Sequence, residues 1–515
     1  MNQLRTILNW TDKNLLKWLL VGFVFVIPLF PKLPLQMINY TYIALRVDDV
    51  YMAVIGLVFA IQFFRRKVNI PAKILWLFLA FWLSVFISFI WGYYVQKTII
   101  IDHLGLLHSL RRIEYMLIFL ITLTQIKSRK DFEFFLKLLF ASVFLFVMYG
   151  YGQKYLGWPA VQTMNPEYAK GYILVLDAWS RISSTFAGHY DLSGTLTLLL
   201  PPIIGFALTS KKKWYFLLFS LAVGTLVLSA TRASYVGYLL ATVSYLIYIK
   251  KFKVLAFVLL ITIIFTPLSD NLTNRISRTF QSTKVSIDTE TGDARVTRRL
   301  KPDDLPPGDF GASSQSEKSP EGLTISQLSS EEALAARLRI QDDVMKEALK
   351  DGKQYSADEL NQTVDEILSR QVFVTKYLPD ISISTRLQVS WPRAIVAFLK
   401  NPLLGSGPSS LGEATDGDYF RWLGEKGLLG TGLFLSILGF INLSIFKKAR
   451  KMSKLNSYVF HGFVFGFMGA FINASTIDIF EASKFAYIFW FTAGLFYAGT
   501  QYFENPKVKT SKLKV

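Results

Sequence analysis

The feature that most limits what this chain can fold into is its repeated apolar run, about twenty residues long. ILWLFLAFWLSVFISFI (74–90) and GLLGTGLFLSILGFINLSIF (427–446) are examples, and WLLVGFVFVIPLF (18–30) is a shorter one. A run of that length matches the hydrocarbon thickness of a bilayer, and in lipid its backbone polar groups must be satisfied internally, so each run reads as a helix. About twelve such spans are expected, centred near residues 25, 55, 84, 117, 142, 200, 222, 241, 260, 437, 466 and 492. The composition agrees: 52% of residues are hydrophobic and the mean hydropathy is +0.35, too apolar for a soluble enzyme of this length. No small-residue cleavage site follows the first run, which therefore reads as an uncleaved anchor. The fold class implied is an all-α polytopic membrane protein with about twelve transmembrane helices and a large extracytoplasmic loop between spans nine and ten.

A net charge of +19 would suggest nucleic acid if it were spread over a soluble surface. Here it is concentrated in alternate connections: RRK (65–67), KSRK (127–130), KKK (211–213), KKFK (250–253), KKARKMSK (447–454) and the tail KVKTSKLK. The intervening connections are poor in lysine. The positive-inside rule makes the basic set cytoplasmic, which puts both termini inside, as an even number of spans requires. The basic excess is then a topology signal with an attraction to anionic headgroups, and no nucleic-acid partner is expected. The chain has no cysteine, which excludes disulfides, a thiol nucleophile and cysteine-based metal sites.

The expected organisation is nine spans over 1–268, an extracytoplasmic loop over 269–420, and three spans with a basic tail over 421–515. The loop carries a hydrophilic insert at about 280–378. Within it KPDDLPPGDFGASSQSEKSPEGL reads as disordered linker. SSEEALAARLRIQDDVMKEALKDG reads as a helix opened by a serine cap, and YSADELNQTVDEILSRQVFVTKYL as a second helix.

On this topology four charged stretches share the outer face: RISSTFAGHYDLSGTL (181–196), SATRASYVGY (229–238), TRLQVSWPRAIVAFLKNPLLGSGPSSLGE (385–413) and DGDYFRWLGEKGLLG (416–430). Arg232 lies in a turn with almost no length, so its guanidinium sits at the heads of two helices, where an unpaired charge is costly. A lone arginine there snorkels to lipid phosphate. Several on one face suggest a phosphate or pyrophosphate ligand, because guanidinium forks bind phosphate oxygens in pairs. Asp418, Arg421 and Glu425 fall at i, i+3 and i+7, one helix face. Asp416 falls in the cap region, and Tyr419 and Trp422 point elsewhere as interfacial aromatics. This stretch reads equally as an amphipathic interfacial helix, Arg421 paired to Glu425, or as a carboxylate set beside an arginine-bound phosphate to act as general base.

Other groups read as supporting. His189 stands alone, His103 and His108 flank an outside turn, and an Arg–Glu pair at i, i+3 within RRIEY (111–115) reads as structural. Asp48 and Asp49 suit a helix N-terminus. GSGPSSLG (405–412) is not followed by GKS or GKT and is no phosphate loop. Pro201 and Pro202 should kink span six.

The order and placement of LSATRASYVGYLLA, RLQVSWPRAIVAFLKNPLLGSGPSSL and DGDYFRWLGEKGLLG resemble the O-antigen ligase and O-antigen polymerase (Wzy-type) superfamily, from span two to the C-terminus. The resemblance implies a glycosyltransferase of the bacterial cytoplasmic membrane that needs neither cofactor nor metal. Its donor would be a glycan on undecaprenyl pyrophosphate, with membrane lipids and envelope polysaccharide-assembly proteins as partners. By matching, Arg181, Arg232 and Arg386 fall where family arginines bind pyrophosphate. Arg421 and His189 join them as substrate-binding candidates, and Asp416 and Asp418 are the candidate catalytic carboxylates. Tyr419, Leu423, Glu425, Gly427 and Gly430 keep the family pattern. Ligases carry His-Asn where this chain has Asp416-Gly417, a departure that resembles repeat-unit polymerases. The alternatives are a ligase with a different envelope acceptor, and a transporter or flippase of lipid-linked sugar. Against the transporter, spans six to twelve are almost free of midplane charge.

Overall fold

The computed structural model describes residues 2–37, 44–163, 171–177, 180–210, 212–273, 282–288, 294–295, 324–327, 330–351, 355–377, 386–412 and 415–503. The linker expected at 301–323 lies outside them. About three quarters of the described chain is helical, with three small sheets of two or three strands. Two compact units result, residues 1–276 with 385–515, and residues 277–384.

In the larger unit a helix covers each of the twelve positions read from the sequence. They are α1 (Asn2–Leu29), α2 (Val47–Phe64), α3 (Ala72–Ile90), α4 (Asp102–Gln125), α5 (Arg129–Tyr155), α6 (His189–Thr209), α7 (Trp214–Leu228), α8 (Arg232–Tyr248) and α9 (Phe252–Phe265). After the smaller unit come the remaining three, which are numbered below in chain order. Six of the twelve are long and apolar enough to cross a membrane by themselves: Val47–Phe64, Ala72–Val95, Arg129–Tyr155, His189–Thr209, Asp418–Ala449 and Lys454–Ala474. The others are shorter or, like α4, carry charge in their first turns. Leu57, Phe64, Trp76, Leu83, Ile263 and Leu443 are exposed on the outer faces of these helices, a surface that suits lipid and not water.

The smaller unit holds α10 (Ser330–Asp351) and α11 (Ala357–Ser369), whose Ile340, Val344, Val364 and Leu368 form a core of their own. The Ser356 hydroxyl accepts the Glu359 N–H at 3.3 Å while the Glu359 carboxylate accepts the Ser356 N–H at 2.9 Å, a capping box. The second insert helix ends far sooner than its sequence suggested. QVFVTKY forms strand β3 (Gln371–Tyr377), antiparallel to β1 (Ser282–Asp288), with β2 (Ala294–Arg295) on β1's other edge. Its alternating, β-branched residues favour a strand once a partner is present.

Returning to the larger unit, α12 (Trp391–Lys400) is followed by α13 (Asp418–Ala449), α14 (Lys454–Ala474) and α15 (Ser483–Gly499). The core seam is α6 against α14 and α8. Pro202 has no N–H to give Leu198 O, and that carbonyl faces the α carbon of Gly466, where a Cβ would stand 2.1 Å away. A Cβ on Gly462 would stand 2.5 Å from Pro201 O, and one on Gly237 would stand 3.0 Å from Gly469 O. Small residues let these backbones touch, the usual packing device of membrane helices. Pro201 and Pro202 thus lie inside one continuous helix, packed in the seam.

Candidate functional site

The charged starts of α4 and α13 and the Arg386 side chain are tied together by one short connection, STIDIFEA (475–482), between α14 and α15. Thr476 O accepts from Arg386 Nε at 2.8 Å. Asp478 Oδ2 accepts from Arg421 Nε at 2.8 Å. The Phe480 N–H donates to Asp418 Oδ2 at 3.2 Å. Glu481 is gripped by Arg112 through both carboxylate oxygens. Just beyond, Ser483 accepts from Lys32, which also pairs with Asp48, and Lys484 donates to Pro28 O, Phe30 O and Thr185 O.

The start of α13 is held from the other side by the NPLLGSG turn (401–407). Ser406 N–H donates to Gly424 O at 2.8 Å and Gly407 N–H to Glu425 O at 2.9 Å. Leu428 and Leu429 N–H groups donate to Pro402 O and Leu403 O. This interlock is possible because α13 breaks at Gly427 (φ 59°, ψ −165°), a conformation open essentially to glycine. The residues before the break form a separate short helical segment that presents charge, and those after it form the apolar span.

Asp418, Arg421 and Glu425 do share a face, as their spacing required. Arg421 sits between Asp478 and Glu425 Oε1 (3.3 Å), and Glu425 also accepts the Ser409 N–H at 3.2 Å. Asp416 is not the helix cap. The cap is Gly417, without a side-chain hydrogen bond, and Asp416 instead pairs with Arg386 at 3.3 Å, its side chain 42% exposed. Trp422 is not interfacial but fully buried, against Tyr419, Phe434 and Phe480. The Tyr419 hydroxyl is fixed on Phe471 O at 2.8 Å. The expected pair within RRIEY is also replaced: Arg111 bonds the Tyr115 hydroxyl at 2.9 Å and lies 3.7 Å from Asp49, Arg112 takes Glu481, and Glu114 accepts from Tyr487.

Arg181, Tyr190 and His189 form a second group at the start of α6. The Arg181 guanidinium lies 5.8 Å from the Tyr190 ring, and His189 is buried against the same ring at 4.1 Å. Arg232 opens α8. Two residues on, Ser234 Oγ donates to Ser193 Oγ and accepts from Asn473 Nδ2, both at 2.8 Å. That chain joins the heads of α6 and α8 to the last turn of α14.

Outside the helices, burial pushes the Asp416 carboxyl up, against the pull of Arg386. Burial also pushes Asp478 up to about 7, against Arg421 and with Glu481. For Glu481 burial acts the same way, but Arg112, Lys426 and Arg421 outweigh it and hold the carboxyl below its usual range. Among the described residues no three acidic or histidine side chains are grouped to hold a metal ion. What the arrangement can do is exchange a carboxylate for a phosphate on an arginine and accept a proton nearby.

Asp478, Glu481, Lys32 and Lys484 were not singled out from the sequence. The one signal available was local: IDIFEASK places two carboxylates and a lysine within a short turn between apolar spans. No family model matches this chain, and no curated protein matches it.

Proposed function

We propose that this protein is a polysaccharide polymerase of the O-antigen type, working at the outer face of a bacterial cytoplasmic membrane. Twelve spans leave both termini in the cytoplasm. The enzyme transfers a glycan from undecaprenyl pyrophosphate to the sugar hydroxyl of the next lipid-linked repeat unit. The new bond joins the acceptor oxygen to the anomeric carbon as the bond to pyrophosphate breaks. The electron pair leaves on the lipid pyrophosphate, and the hydroxyl proton passes to a carboxylate of the site.

The observation that carries this reading is the half-exposed Arg386–Asp416 pair beside the Arg421–Asp478 pair. It offers an arginine for phosphate and a carboxylate for a hydroxyl side by side, the mouth of the proposed site. Arg386, Arg232 and Arg181 hold the pyrophosphate, with His189 packed behind Tyr190, and Asp416 contacts the acceptor. Arg421 is 3% exposed and Asp418 fully buried, so both position the mouth from within. The Asp416-Gly417 pair favours a lipid-linked acceptor over ligation to another envelope component.

The test is transfer in proteoliposomes with lipid-pyrophosphate-linked repeat units, comparing wild type, Asp416→Ala and Arg232→Ala. A ladder of longer lipid-linked glycans, lost in both variants, is expected. Glycan on a non-lipid acceptor would make the protein a ligase. Labelled lipid crossing the bilayer with no product would make it a transporter and remove these roles.

A further inference from the structure

The short helix α12 is patterned inside out. Ser390, Ala394 and Ala397 are buried, the two alanines against Leu411 and Phe420. The backbones there are so close that a Cβ on Gly424 would stand 3.0 Å from Ala394 O. Pro392, Ile395, Val396 and Leu399 fall at i, i+3, i+4 and i+7, which is one helix face. All four are exposed, Leu399 to 65%. Leu403, also exposed, extends the stripe past the helix end. A helix on a water-facing surface carries the opposite pattern, apolar side in and polar side out.

The stripe runs on at its C-terminal end into two helices long and apolar enough to cross a membrane, Ala72–Val95 and α13. Leu428 and Leu429, exposed at the start of the α13 span, donate their N–H groups to Pro402 O at 2.8 Å and Leu403 O at 3.1 Å. Gln96 Nε2 donates to Lys400 O at 3.4 Å and Thr98 Oγ1 donates to Ser406 O. These bonds set the end of the Ala72–Val95 helix, with Tyr94 and Val95 exposed, beside α12. Lys97 and Lys400 are exposed at the same edge, and long basic side chains there reach lipid phosphates. At the N-terminal end of α12 the Trp391 indole stacks on Phe420 and donates to Asp416 O at 2.8 Å, and the helical turn before it begins with Arg386.

We propose that α12 lies in the plane of the bilayer, its Pro392, Ile395, Val396, Leu399 and Leu403 stripe set among the acyl chains of one leaflet just below the headgroups, and that this seat fixes the Arg386–Asp416 pair at headgroup level. An in-plane helix is held by apolar area sunk at the headgroup boundary and by basic groups at its edge. Here the other side of the helix is packed on protein, so only the apolar stripe is left for lipid. Phospholipid is the occupant, and not a second copy of the chain or residues 277–384, because the stripe is continuous with exposed apolar faces of two membrane-crossing helices and ends in lysines. The seat does not depend on the transfer reaction above.

The test uses the full-length protein, which has no cysteine, so one introduced cysteine carries the only label. Val396→Cys and Leu399→Cys are spin-labelled in phospholipid nanodiscs. Leu443→Cys, exposed in the α13 span, is the lipid reference, and Glu366→Cys, 70% exposed in α11, is the water reference. Collision with oxygen relative to a water-soluble nickel chelate should be several-fold higher at 396 and 399 than at 366, and lower than at 443. Bimane at the same two positions should be quenched more by phospholipid brominated high on the acyl chain than by phospholipid brominated near its end. Nickel colliding at 396 and 399 as freely as at 366 would put the stripe in water and overturn the proposal. Exclusion of both oxygen and nickel would put it under protein, a second copy or residues 277–384, and would also overturn it. Stronger quenching by the deep bromines would overturn the in-plane depth.

Discussion

The larger unit has ion pairs at two sets of helix ends, and they differ in kind. Among the basic connections, Asp12 pairs with Arg65 at 2.6 Å and with Lys67, Lys17 with Asp131 at 2.5 Å, and Arg129 with Glu133 at 2.8 Å. Arg65 there is 50% exposed. Around the 475–482 connection the same residue types form pairs that are almost dry, such as Arg112–Glu481 with the arginine 6% exposed. Exposed pairs contribute little because water competes for both partners. Buried pairs repay the cost of desolvation only if every partner stays in place. The first set lies in solvent-exposed connections rich in lysine and arginine. The second is a preorganised interior, which is costly to keep unless its geometry is used.

That contrast can be broken most directly at Arg112. Arg112→Met leaves Glu481 buried and unpaired, and should lower unfolding free energy in detergent by about 3–5 kcal/mol; adding Glu481→Gln should recover much of the loss. The contrast collapses if Arg112→Met costs no more than a change among the basic loops. Next in size is Gly427→Ala, whose Cβ would stand 2.4 Å from Leu403 O at φ +59°. A loss of about 3 kcal/mol is expected. Gly439→Ala, in the same helix with nothing within 4 Å, should be neutral or stabilising by up to about 1 kcal/mol. Equal melting temperatures for the two variants would remove the interlock from the account.

A pH-dependent effect follows from Asp478. Its folded pKa of about 7 lies above the value near 3.9 of an unfolded aspartate, so the folded state holds the proton more tightly. Stability should therefore fall as pH rises from about 4 to 7 and level off above. Asp478→Asn should flatten that slope, read by thermal unfolding across the pH range. The smallest effect is Arg65→Ala: under about 1 kcal/mol, and less at high salt, where exposed pairs are screened. A loss comparable to that at Arg112 would show the basic loops to be structural as well.

Legibility of the site followed the range of the interactions. The shared face of Asp418, Arg421 and Glu425 could be read because helical periodicity is a local property. The partner of Asp416 lies thirty residues upstream at Arg386, beyond α12 and the NPLLGSG turn, and no local pattern names it. Trp422 looked interfacial because its neighbours in sequence are charged; Phe434 and Phe480, brought by other parts of the chain, bury it. QVFVTKY continued a helical pattern on paper and became a strand because β1 supplies its hydrogen bonds. The 475–482 connection carries no recognisable motif, and its importance comes from what it touches.

The amino-acid sequence alone determined that the chain is helical, where its apolar helices lie and how basic charge is distributed between their ends. Those follow from the transfer energy of side chains and the backbone's need for internal hydrogen bonds, both set residue by residue. Only the tertiary structure decided which charges are dry, which arginine each carboxylate faces, and that Asp478 and Asp418 each keep a buried oxygen that no donor among the described residues reaches. Desolvation and pairing depend on groups hundreds of residues apart, and become definite only when the helices pack.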